Sequence, residues 1–149
     1  MQRTSIAIIA VMVAALFAGT SYILLAQQPM AQPSQPSNSQ SLNKLGYRDI
    51  SSEELNTMLA KKDFLLVNVH VPYAGEIKGT DRFIPYNKIP QSIDQLPTDK
   101  ATKIVVYCRS GMMSATASEE LVSLEYTNIL NLKGGMIGWE QNGYSLVGK

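Results

Sequence analysis

Three observations predict an α/β fold with a mostly parallel central sheet flanked by helices. The runs 64–71 (FLLVNVHV), 103–108 (KIVVYC) and 128–132 (NILNL) are short, apolar and rich in β-branched residues, as strands buried on both faces of a sheet are. Helix-like patterns lie between and after them, so strand and helix alternate along the chain. A composition of 45% hydrophobic and 17% charged residues over 149 positions suits one globular domain, and no internal repeat is present.

The N-terminus is of a different kind. After Arg3, residues 5–26 run without a charge, enough to cross a hydrocarbon core of about 30 Å at about 1.5 Å per helical residue. They are read as a transmembrane anchor or uncleaved signal, with 1–4 on the cytoplasmic side, since Arg3 is the only charged side chain before Lys44. Cleavage near Ala26 or Ala31 would instead give a secreted or periplasmic domain. Residues 27–43 are mostly Gln, Pro and Ser and form a flexible linker, which leaves 44–149 as the folded domain on the extracytoplasmic side. With Arg3 set aside from the 13 basic residues, 12 face 12 acidic ones, a balance that gives no footing for nucleic acid.

Within the domain, Ser51 is placed to cap a helix that Glu54 closes as a capping box, with Ile50 stapled to Leu55. Leu55, Met58 and Leu59 share its apolar face. The first strand follows, then a polar loop over 72–92 read as a pocket wall. The second strand ends at Cys108, and the helix after it carries Met113, Ala117, Leu121 and Leu124 on one stripe. Beyond the third strand, Gly134 and Gly135 break the pattern before a short helix anchored by Trp139 and closed by Gly143.

Cys108 is the only cysteine, so the domain holds no internal disulfide and no dithiol pair. It stands at the carboxyl end of a strand, where α/β sheets place their ligand crevices, and the loop Arg109, Ser110, Gly111, Met112, Met113 then feeds a helix N-terminus. Unpaired amides and the positive end of a helix dipole favour an anion there, and a thiolate is the nucleophilic form of cysteine. Gly111 permits the loop to curl and aim amides inward. The bland alternative, a small buried residue finishing a strand, stands beside this reading.

Among chemistries for such a thiol, phosphate transfer lacks its arginine, because the sixth position after the cysteine is Ser114. Acyl transfer would need His70, the only histidine, either as a partner of the thiolate or of a substrate oxygen; otherwise it is a strand-end residue bonded to the loop. Sulfur transfer needs one cysteine and donors for a terminal sulfur anion, and survives most easily. Arg109 is read as a contact for an anionic substrate or as plain surface, and Met112 as an apolar wall beside the sulfur.

The stretch VVYCRSGMMSATASEEL, followed by LKGGMIGWEQNGYSLV, resembles the active-site loop and C-terminal end of a rhodanese-like domain, and the likeness spans roughly residues 45 to 148. It implies a sulfurtransferase in which Cys108 forms the persulfide and Arg109 to Met113 supply the amide cradle; the strand pattern separately places His70 at the same edge of the sheet. The chain departs from the family pattern where Met113 replaces a loop Arg and where Asn68-Val69-His70 replaces Asp-Val-Arg. The expected partners are a small sulfur-containing donor, a thiol acceptor and, through 5–26, the membrane; no nucleic acid, cofactor or metal is expected. The alternative function is a non-catalytic module binding sulfur or a soft metal through Cys108, Met112, Met113 and His70.

Overall fold

The computed structural model describes residues 42–149. The segments 1–4 and 5–26 and all but the end of the linker lie outside the described residues. Among those described, no helix is long and apolar enough to cross a membrane.

Five strands form one parallel sheet in the order β1-β6-β5-β2-β4: β1 (Arg48–Ile50), β2 (Leu65–Asn68), β4 (Arg82–Phe83), β5 (Ile104–Tyr107) and β6 (Ile129–Leu132). The three apolar runs of the sequence are its centre, β6-β5-β2, and β5 and β6 are buried along their whole length. Two short strands, β3 (Glu76–Ile77) and β7 (Leu146–Val147), pair antiparallel as a separate ribbon. Three helices complete the α/β fold: α1 (Ser52–Leu59), α2 (Met112–Ser123) and α3 (Gly135–Gln141). The expected loop over 72–92 therefore holds β3, β4 and two 3-10 turns, and Ile84 and Tyr86 donate their amides to Asn68 and Val69 carbonyls.

Alternation along the strands sends side chains to two cores. Val67, Val69, Val106, Cys108 and Ile129 pack under Ala117 and Leu121 of α2. Leu66, Val105, Tyr107, Leu130 and Leu132 pack under Leu55 of α1 and Met136 and Trp139 of α3. Burying a Leu such as Leu55 contributes about 1.5–3 kcal/mol.

At the start of α1, the Ser51 hydroxyl accepts from the Glu54 amide at 3.2 Å, and Ile50 and Leu55 share a core. The reciprocal half of the capping box is absent, because the Glu54 carboxylate pairs with Arg48 at 2.7 Å instead. An opposite charge within reach competes successfully for that carboxylate, and the pair ties β1 to α1.

Tyr107 closes a small polar ring beneath β3. Its hydroxyl accepts from the Ile77 amide at 3.0 Å and lies 2.6 Å from the Thr80 hydroxyl, which itself donates to the Ile77 carbonyl at 2.7 Å. Thr80 has one proton and spends it on Ile77, so Tyr107 is the donor to Thr80. Burial pushes the Tyr107 hydroxyl up to about 12. The folded state therefore holds this proton where the unfolded chain, at about 10, has released it, and stability falls as pH rises between those values. The expected loss is about 2–3 kcal/mol by pH 12. Urea unfolding at pH 9 and pH 12 checks it: the fall should be smaller by that amount in Tyr107→Phe, and an equal fall in both proteins refutes the assignment.

Candidate functional site

Cys108 follows the last residue of β5, and its side chain lies on the α2 side of the sheet with the residue 1% exposed. Gly111, which caps α2, takes φ 97°, a left-handed conformation that glycine adopts without strain. That turn brings the Gly111 amide to 3.1 Å from Cys108 Sγ as a donor. Ser114 stands one turn into α2, fully buried, with its hydroxyl 3.5 Å from Sγ and 3.1 Å from the Gly111 carbonyl. The sulfur thus meets one main-chain donor and one hydroxyl at the positive end of a helix, a polar setting suited to an anionic sulfur.

This cradle is narrower than the sequence suggested. Of the amides of Arg109 to Met113, the Gly111 amide is the one that bonds the sulfur among the described residues. The rest of the loop is held from behind. The carbonyls of Cys108 and Arg109 accept from the Met136 and Ile137 amides at 2.9 Å each, so the first turn of α3 grips the loop. In a trans peptide the N–H points opposite to the C=O, which turns the Arg109 and Ser110 amides away from α3. Gly134 and Gly135 are what permit the approach: a Cβ on Gly135 would lie 2.3 Å from the Cys108 oxygen.

The remaining sequence candidates differ in their exposure and contacts. Arg109 is exposed and lines a hollow of 240 Å³ with Ile137, Glu140 and Lys149, the last two ion-paired. Ser110 is exposed. Met112 is 78% exposed and projects into solvent rather than walling the sulfur. As the first residue of α2, its side chain leaves the helix away from the sheet, whereas Met113, next in sequence, turns inward and packs against the core that contains Cys108.

His70 lies just past the end of β2, beside Arg109, and makes no hydrogen bond to Cys108. Its amide donates to the Asn68 side chain at 3.0 Å, and its Nδ1 is buried with no partner among the described residues. Burial and then the nearby Arg109 charge lower its pKa, so the ring is neutral at pH 7. No cluster of three His, Cys, Asp or Glu side chains placed to hold a metal occurs among the described residues.

Ser114 is the site residue that sequence reasoning passed over. Its position six after the cysteine served to exclude an arginine; the helical spacing that returns residue 114 over residue 111 was the available signal.

Comparison with known proteins places this geometry. The Rhodanese-like domain family matches residues 51–142, a span that holds α1, the central strands, the cysteine loop and α3. The chain belongs to the rhodanese-like family. A sulfurtransferase of Allochromatium vinosum is 36% identical to this rhodanese-like domain over 103 residues, which are 66% of this chain and 94% of that protein. A tRNA uridine(34) hydroxylase of Erwinia tasmaniensis is 28% identical over 94 residues, 59% of this chain but 27% of the hydroxylase, so the likeness covers about a quarter of that relative. Among solved structures, a rhodanese-related protein of Thermoplasma volcanium matches with a TM-score of 0.58 and 29% identity over 68% of this chain and 98% of that one.

Proposed function

We propose that the chain is an exported, membrane-anchored sulfurtransferase that forms a persulfide on Cys108 and passes its outer sulfur to a thiol or other nucleophilic acceptor. The observation that carries this reading is the Cys108 sulfur at the end of β5, receiving the Gly111 amide and facing the Ser114 hydroxyl. Membership of the rhodanese-like family and the A. vinosum sulfurtransferase support it. The anchor in this reading is the uncharged segment 5–26.

With thiosulfate as donor, the Cys108 thiolate attacks the outer sulfur, the S–S bond of thiosulfate breaks, and sulfite leaves with the electron pair. Cys108 then carries Cys–S–S⁻, whose terminal charge needs hydrogen-bond donors of the kind the loop supplies. An acceptor thiolate attacks that outer sulfur, and Cys108 leaves as thiolate. Because the residue is 1% exposed, a donor reaches it only as the loop around Gly111 yields. The exposed side chains of Ser110 and Met112 leave the outer half of that loop free of packing.

The test is intact mass after incubation of the full chain with thiosulfate. A gain of about 32 Da, the mass of one sulfur atom, is expected, lost on adding a thiol and absent in Cys108→Ser. A wild-type mass that does not change, together with a bound soft metal, would instead favour the non-catalytic module. The anchor is checked by washing membranes at alkaline pH: the full chain should stay in the pellet, and its release would refute anchoring.

A further inference from the structure

On the face of the sheet opposite Cys108, a groove of about 710 Å³ lies between the C-terminal ends of α1 and α3, within the size range of small-molecule sites. Its wall carries Leu59 of α1, Ala60 that caps it, and the rings of Trp139 and Tyr144, tilted at 38° with centroids 4.5 Å apart. The Trp139 indole N–H already donates to the Ser145 carbonyl at 3.1 Å, so the ring presents apolar surface rather than an open donor. Lys62 and Lys78 also line the groove, and none of its lining residues is acidic. Lys62 is committed to Asp81 and to the Phe64 carbonyl. Lys78 is exposed and has no partner among the described residues.

We propose that this groove binds a small amphiphilic organic anion, with its apolar body against Leu59, Ala60 and Tyr144 and its carboxylate or sulfonate on Lys78. The groove supplies apolar area for the body and one unpaired cation for the head, with no carboxylate among its lining residues. Lys62 is already neutralised by Asp81, so a cationic ligand of the same shape meets the uncompensated charge of Lys78 and no lining carboxylate to pair with. The site is separate from the sulfur chemistry, since Cys108 belongs to the other core and lines no part of this groove.

Trp139 is the only tryptophan of the chain, so its emission reports on the groove directly. The test titrates the full-length protein with octanoate, with octylamine as the cationic counterpart. Octanoate should change the emission along a saturating curve, and octylamine should not. Lys78→Glu, a surface change, should weaken octanoate binding at least tenfold, and Ala60→Phe, which fills the groove, should abolish the response while leaving persulfide formation on Cys108 intact. A non-saturating response, an equal response to octylamine, or unchanged octanoate binding in both variants would overturn the proposal.

Discussion

Gly135→Ala is expected to destabilise the domain by about 3–5 kcal/mol and to abolish sulfur transfer. The new Cβ would lie 2.3 Å from the Cys108 oxygen and 2.8 Å from both the carbonyl carbon and oxygen of Arg109. All three are main-chain atoms, so no side chain can swing aside to relieve the clash. Gly135 also has φ 56°, which costs a residue with a Cβ about 1–2 kcal/mol. Moving α3 outward would break the bonds from Met136 and Ile137 to the loop, at about 1 kcal/mol each. Against a total stability of about 5–15 kcal/mol for a domain, that loss leaves a marginal fold and an ungripped loop. Chemical denaturation of the variant beside Gly143→Ala checks the cause. Gly143 has φ 81° but nothing within 4 Å of its built Cβ, so it reports the backbone strain alone. Equal losses in the two variants would show that the contact with Cys108 and Arg109 carries no weight.

Ser114→Ala is expected to slow sulfur transfer about tenfold to a hundredfold while leaving stability nearly unchanged. A hydrogen bond to a charged group is worth about 1.5–3 kcal/mol, and about 1.4 kcal/mol is a factor of ten in rate. The hydroxyl proton has two acceptors in reach, Cys108 Sγ and the Gly111 carbonyl. Removing it strands neither in the resting fold, because the Gly111 carbonyl still accepts from the Ala115 amide at 3.0 Å and Sγ from the Gly111 amide. The effect should therefore appear where negative charge resides on sulfur, in the rate of sulfite release from thiosulfate. Ser114→Thr keeps the hydroxyl and should retain most of that rate. A variant as fast as the natural protein would remove Ser114 from the site.

The centre of the fold was legible because its strands are dominated by apolar residues, broken only by Asn68 and Asn131; β2, β5 and β6 need no partner information to be recognised. The edges were not. β1 has the sequence Arg-Asp-Ile, and β3 and β4 have two residues each, too short for any periodicity to register. They exist because the neighbouring strands offer unpaired peptide groups, a tertiary cause that no local pattern encodes. At the site, the cysteine, the glycine turn and the helix behind it could be read in order. How many amides meet the sulfur could not, because that count depends on α3, which holds the Cys108 and Arg109 carbonyls from more than twenty residues downstream. The strand-end position of His70 could be read locally, whereas the side of the sheet on which Cys108 projects is set by the packing of α2.

The grip of α3 on the cysteine turn has a practical corollary. The tether is made of peptide groups, so it is indifferent to what hangs from positions 109, 110 and 112, all of which face outward. Those three positions form a recodable panel on a turn tethered at its Cys108 and Arg109 carbonyls. Under the proposed sulfurtransferase function, varying them together, with Gly111, Ser114, Gly134 and Gly135 untouched, would change which donor and acceptor are accepted while keeping the hydrogen bonds around the sulfur.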